Sequence, residues 1–272
     1  MRIFDSHIHL SEFADDILKG YAKLNGLKYD LRELLQLMDT CKIAGGLLLS
    51  SRRKNGELVS NQHILELARR GGGKLKPVIT VEPDPRHVEE SLELAARNHN
   101  VKGFKVMLGY HDAKPESPVF EPVYRYAVDH EMPVMFHTGD TAVSSGRLLY
   151  AHPLLLDRLS VRIPDLKVVI CHMGNPWIRD ASAVVYKNTN VYADLSGLFS
   201  GKSPYMEKYL NFLLNELNGA IYYVGSADKF IFGTDYPVEH HQAAIELVKR
   251  LEIKRKDLKK ILYENAARLF RL

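Results

Sequence analysis

Two histidines one residue apart, His7 and His9, stand inside the first apolar run of the chain, Arg2 to Leu10. On a β-strand, residues i and i+2 point to one face, roughly 6.6 Å apart along the chain. Two imidazoles so placed can converge on one divalent ion. Asp5 shares their parity one step deeper and reads as an interior carboxylate rather than a ligand. By itself an H-x-H pair equally describes two exposed histidines at a strand end. Three further groups alter that balance. His137 closes the apolar run Pro133 to His137, His172 closes Lys167 to His172, and Asp235 follows Lys229 to Thr234. If these runs are strands of one sheet, all five side chains stand at the same rim. Taken singly, each is equally well a hydrogen-bonded core residue or a helix cap. Together they form a mixed nitrogen and oxygen donor set suited to Zn2+, with Mn2+ or Fe2+ as alternatives. An ion in such a set makes water a nucleophile near neutral pH. Asp235 is then the group to take and return the proton. His172 orients the water or stabilises charge at an attacked carbonyl.

Other residues near the rim carry weaker expectations. Lys105, at or near the end of the run Gly103 to Leu108, can bind an anionic group of a substrate or pair with Asp5 or Glu82. Tyr110 and His111 follow that run, Arg147 follows His137, and Asn175, Trp177 and Arg179 follow His172. All should overhang the site, where Tyr110, Arg147, Asn175 and Trp177 are the candidates for contacting substrate. An exposed loop side chain is more often simply solvated. His240 and His241 open a helical segment and read as surface. His63, His87, His99 and His130 fall on the far side. Cys171 has the opposite parity to His172 and should face the surrounding helices as a core residue.

The elements that must position these groups repeat along the chain. Gly46 to Ser50, Lys76 to Val81 and Val191 to Leu195 complete eight short apolar runs, separated by amphipathic segments. Leu31, Leu34, Leu35 and Met38 recur at helical spacing behind Asp30 and Glu33, a capping-box pattern. Eight βα units in 272 residues predict a single (β/α)8 TIM barrel over residues 1–272. An open doubly wound sheet is the alternative, but it calls for a Gly-rich phosphate turn that is absent. Segments leading into the runs are short, whereas those leaving them, such as Ser11 to Tyr29 and Gly139 to His152, are long. In a barrel all the leaving loops share one face, the face that bears the site. Lys254 to Leu272 reads as an extra helix packed on the barrel's outside.

Composition narrows the function classes. The formal net charge of +4 comes from 37 basic and 33 acidic residues dispersed along the chain, which gives no nucleic-acid stripe and no membrane-binding face. Two cysteines without a C-x-x-C pair, and an N-terminus lacking an apolar leader, point to a reduced cytoplasmic setting. No apolar run reaches the length of a membrane span. The expected partner is a small-molecule substrate, with a homodimer as the default assembly.

Seven stretches, DSHIHL, GFKV, PVMFHTGD, HPLLLDRLSVRIPDLKVVICHMGN, VYADLSG, FGTDYP and ILYENAARLFRL, follow one another along nearly the whole chain. In order and spacing they resemble the amidohydrolase superfamily, and within it the amidohydrolase-related branch. That branch includes aminocarboxymuconate-semialdehyde decarboxylase and 2-pyrone-4,6-dicarboxylate lactonase. The resemblance implies that His7, His9, His137 and Asp235 hold one metal and that His172 polarises water or contacts substrate. It also implies that Lys105 occupies the place where two-metal members carry a bridging carboxylated lysine, with the histidine equivalent to His172 as a further ligand. One metal is the commoner case in this branch. The activity it implies is hydrolysis of a small lactone, ester or amide. Decarboxylation of an unsaturated or aromatic acid is the alternative, and a non-catalytic metal- or metabolite-binding barrel is the third.

Overall fold

The computed structural model describes residues 1–52, 56–200 and 203–272. Each apolar run becomes a short parallel strand, and the order is β1 (Ile3–His9), β2 (Ile43–Leu49), β3 (Leu75–Pro77), β4 (Ile79–Val81), β5 (Phe104–Val106), β6 (Val134–Phe136), β7 (Val168–Ile170), β8 (Val191–Asp194) and β9 (Phe230–Ile231). β1 to β3 form one sheet and β4 to β9 a second, every neighbour parallel. β3 and β4 are one strand interrupted after Pro77, whose ring removes a ladder donor. Val78 continues across the gap by donating to Leu48. The opposite seam is closed by Ser6 N–H donating to Phe232 O (2.9 Å) and His9 N–H donating to Tyr236 O (2.8 Å). The result is a (β/α)8 barrel.

The helices between strands are α1 (Asp16–Leu24), α2 (Leu31–Thr40), α3 (Asn61–Arg70), α4 (Pro85–Arg97), α5 (Glu121–Asp129), α6 (Leu155–Arg162), α7 (Ile178–Lys187), α8 (Met206–Val224) and α9 (His241–Lys249). No described helix is long and apolar enough to cross a membrane. Asp30 caps α2 through Glu33 N–H, and the Glu33 carboxylate accepts from Lys28 and Tyr29 N–H. Outward strand residues such as Leu48, Phe104, Val134 and Ile170 pack against the helices, while Leu47, Leu49, Val78, Met135 and Val169 fill the barrel interior. That alternation follows from the two-residue period of the strand.

Two parts of the chain differ from the sequence expectation. The long segment Ser11 to Tyr29 is not a loop throughout, because Asp15 caps a helix, α1, inside it. The C-terminal segment is not an outer decoration. It forms α10 (Arg255–Lys259), a π-helical turn (Lys260–Glu264) and α11 (Asn265–Phe270), and Ala266, Leu269 and Phe270 join the interior cluster with Phe4 and Leu47. Asn265 fixes it by donating to Ala227 O and Phe230 O. The segment plugs the end of the barrel opposite the leaving loops. An interior left open there would expose apolar strand residues to water, and the plug removes that surface.

Candidate active site

Strand ends and the turn after β9 bring four of the expected groups to the same rim. His7 and His9 end β1, His137 follows β6 directly, and Asp235 lies four residues past β9 at a positive φ of 53°. His7 Nε2 is 3.5 Å and His9 Nε2 is 3.3 Å from the same oxygen, Asp235 Oδ1. The ring of His172 lies 4.8 Å from that of His7 and 5.0 Å from that of His137, centroid to centroid. His172 reaches the cluster by a different route from the one its parity suggests. It sits in a tight turn with left-handed φ values at itself (58°) and at Met173 (49°), which swings it inward one residue after Cys171. Cys171 therefore does not face the helices. It points into the interior, where Lys105 Nζ donates to its Sγ at 3.0 Å.

Hydrogen bonds fix which nitrogen of each ring is free. His7 Nδ1 donates to Asp194 Oδ2 (2.9 Å), His172 Nδ1 to Ser196 O (3.1 Å) and His137 Nε2 to Asp140 O (2.8 Å). Burial, foremost, holds all three rings neutral. His137 is pushed down to about 3 by burial and then by the charge of Lys105. His7 and His172 lie well below the usual histidine range, the first also through Lys105 and the second also through His7. A neutral His7 with its proton on Nδ1 carries a lone pair on Nε2, which has the Asp235 carboxylate and the Lys105 ammonium each at 3.5 Å. Two acceptors so placed repel unless a cation lies between them. Donors about 2.1 Å from one tetrahedral ion sit about 3.4 Å apart, which matches the separations observed. His7, His9 and Asp235 therefore fit a divalent ion, while His137 commits its Nε2–H to Asp140 O.

Asp194, which sequence reasoning passed over as a strand residue, holds the arrangement from below. Its Oδ1 accepts from His172 N–H (2.7 Å) and from the N–H and hydroxyl of Ser196, while Oδ2 takes His7. The signal available was an aspartate at inward parity in an otherwise apolar strand. A carboxylate in this position sets the tautomer and basicity of a ligand histidine. Asp194→Asn should weaken zinc binding by roughly 10- to 100-fold in chelator competition, and an unchanged affinity would contradict the role.

A family model for amidohydrolases matches residues 4–272. The chain belongs to the amidohydrolase family. A curated relative, gamma-resorcylate decarboxylase of Polaromonas sp., is 30% identical over 144 residues, 46% of this chain and 40% of that protein's length. Among solved structures, a probable 2-pyrone-4,6-dicarboxylic acid hydrolase from Acinetobacter baumannii, with citric acid bound, superposes with a TM-score of 0.71 at 19% identity over 100% of both chains. A dihydroxybenzoic acid decarboxylase from Polaromonas sp., with bound manganese and 2-nitroresorcinol, gives 0.70 at 19% identity, covering 100% of this chain and 96% of that one. Family membership makes this chain an enzyme of a metal-dependent class.

The amidohydrolase cavity above the histidines measures about 100 Å³ and is walled by Lys105, Tyr110, Ser51 and Arg52 together with apolar side chains. Grooves of about 600 and 560 Å³ beside α3 and α4 contain none of the four clustered histidines. Of the expected substrate contacts, Lys105 and Tyr110 line the cavity. Arg147 turns away to pair with Asp112, Asn175 donates to Tyr209 Oη (3.1 Å), and Trp177 packs on His152. Arg179 pairs with Glu216 on the outer helices. Lys105 meets neither Asp5 nor Glu82, because Glu82 holds Arg52 (3.0 Å) and Asp5 accepts from Thr234 and His7 N–H. His241 is not at the surface. It is fully buried, with Nε2 3.2 Å from Asp5 Oδ2. Tyr110 is pushed up to about 12 by burial, so its hydroxyl keeps its proton.

Two supports of the site left no local trace in the sequence. Gly197, at φ +60°, lies so close that a Cβ would stand 2.8 Å from both Asp235 Oδ2 and His172 Nδ1. Glu239, fully buried, accepts from Leu198 and Phe199 N–H and so anchors the segment that carries Gly197. Burial raises its carboxyl well above the ordinary value near 4.5. Between those two values the unfolded chain binds fewer protons than the folded one. This contribution to stability is therefore present below pH 4.5 and is lost as pH rises toward the folded value, at about 1.4 kcal/mol per unit. Glu239→Gln should remove that slope and be more stable than the parent at pH 8 in denaturant titrations. Parallel pH profiles would rule the account out.

Proposed function

We propose that this amidohydrolase binds one divalent ion through His7, His9, His137 and Asp235 and hydrolyses a small lactone, ester or amide. The observation that supports it is the lone pair of His7 Nε2 facing the Asp235 carboxylate at 3.5 Å, with His9 Nε2 on the same oxygen at 3.3 Å. Zn2+ suits the donor set, with Mn2+ or Fe2+ as alternatives. A bound ion supplies Lewis acidity, polarising a carbonyl and acidifying water. Asp235 takes the proton of the attacking water and returns it to the leaving group. His172, whose proton is committed to Ser196 O, presents Nε2 as an acceptor. It orients water and does not stabilise an oxyanion. Lys105 and the Tyr110 hydroxyl are the donors left for substrate oxygens.

Decarboxylation is the second reading, favoured by the 30% identical relative, which is named as a decarboxylase. There the same Asp235 would deliver a proton to the carbon that loses carbon dioxide. The metal-loaded enzyme should be assayed on simple lactones and esters and, in parallel, on hydroxybenzoates with carbon dioxide release followed. Turnover of lactones supports hydrolysis; carbon dioxide release without lactone turnover replaces it with the second reading. A metal count of two per chain, with a carboxylated Lys105, would overturn the single-ion assignment.

A further inference from the structure

Asp5 and His241 are both fully buried, and neither takes part in the chemistry proposed above. Asp5 lies two residues before His7 on β1, and its carboxylate gathers groups from β1, from the turn after β9 and from α9. Oδ1 accepts from His7 N–H (3.1 Å) and Thr234 N–H (3.0 Å), and Oδ2 accepts from the Thr234 hydroxyl (2.6 Å). His241, the first residue of α9, brings Nε2 to 3.2 Å from the same Oδ2. The Thr234 hydroxyl in turn accepts from Tyr236 N–H (3.1 Å), and the Tyr236 ring lies 5.1 Å from the His241 ring, centroid to centroid. The residues on both sides of Asp235 are therefore held from beneath through one carboxylate. Asp235 itself stands between them at φ 53°. A left-handed backbone costs a non-glycine residue about 1–3 kcal/mol and persists only where its surroundings over-determine it.

Packing does not account for His241. Among the described residues, neither of its ring nitrogens has a hydrogen bond apart from that approach to Asp5. A leucine would fill the space without burying an unpaired polar atom, which costs about 1–3 kcal/mol. What the imidazole adds is its contact with the Asp5 carboxylate. We infer that Asp5, Thr234 and His241 form a positioning unit that sets Asp235 at ligand distance from His7 and His9, with α9 as its outer support. The inference rests on the metal-binding reading of the site and adds what fixes the donor spacing. Asp235 Oδ1 stands 3.5 Å from His7 Nε2 and 3.3 Å from His9 Nε2. β1 carries the two histidines, the turn after β9 carries the carboxylate, and Asp5 bonds to the backbone of both. A binding constellation has to be held within about 0.5 Å of its working geometry by such supports, so loosening this one lowers affinity for the ion.

The test reads zinc affinity by chelator competition, and Tm on the metal-free protein, for variants that keep the volume of the site. Thr234→Val removes the hydroxyl at nearly constant shape, and His241→Leu removes the nitrogen that meets Asp5. Each should weaken zinc binding by about 10- to 100-fold, the range for losing a support of a metal ligand. Thr234→Ser and His241→Gln return a donor to Asp5 and should recover most of that loss. Asn188→Ala deletes hydrogen bonds to Asp157 (2.8 Å) and Val184 O (2.9 Å) at the C-terminal end of α7. It should lower Tm and leave zinc affinity unchanged, so a general loss of stability cannot imitate the expected pattern. Parental affinity in Thr234→Val and His241→Leu, Ser and Gln variants as weak as those two, or an equal loss in Asn188→Ala overturns the positioning unit. A parent that binds neither zinc nor manganese sinks the metal-binding reading and the unit with it. Zinc binding by the parent with the variants unchanged sinks the unit alone.

Discussion

Asp235→Asn should lower kcat by roughly 10²- to 10⁴-fold, the range expected for loss of a general acid–base group. The substitution keeps one oxygen able to face His7 and His9 and removes the ability to hold a proton. Oδ1 lies within 3.5 Å of both imidazoles, while Oδ2 borders the space in which Gly197 can have no Cβ. The amide is nearly isosteric, so the backbone at φ 53° should be retained. Because an amide oxygen is a weaker ligand, kcat has to be read at saturating zinc and beside a metal count. A metal-replete Asn variant with parental kcat would remove Asp235 from the chemistry. A variant that recovers activity only at high zinc would make it a ligand and nothing more.

Stripping the metal should have the other large effect. Dialysis against a chelator is expected to take turnover to the uncatalysed background, and zinc or manganese to restore it. The same titration should raise thermal stability, because an ion that binds only the folded chain adds about 2.7 kcal/mol at 100 times its Kd. At 2–4 °C per kcal/mol for a chain of this size, that is a Tm increase of about 5–10 °C. A Tm that rises without any activity would favour a barrel that merely binds metal. Full activity in the stripped protein would contradict the donor set altogether.

The barrel, and the meeting of His7, His9 and Asp235 at one rim, were legible because each rests on a local rule. Short apolar runs between amphipathic segments marked the strands, and the residue pair His7 and His9 needs only an extended backbone to share a face. The failures have separate causes. Parity predicts direction only while the chain stays extended, and the left-handed turn at His172 and Met173 breaks it, which put Cys171 on the wrong side. Gly197 and Glu239 act through close approaches or hydrogen bonds to residues far along the chain, and no periodicity announces those, whereas Asp194 showed only its inward parity. Arg147, Asn175 and Trp177 were placed by loop membership alone, which says that a residue is near a rim but not which way it turns. His241 looked exposed because its neighbours are polar, yet Asp5 draws it inward.

The plug formed by α11 has a consequence for how the chain is made. Ala266, Leu269 and Phe270 close the interior that β1 began, so the seal depends on residues translated some 260 positions after the first strand. On the ribosome, at 5–20 residues per second, the apolar lumen would stay open to solvent for tens of seconds. During that interval the half-made cylinder is a natural client for chaperones.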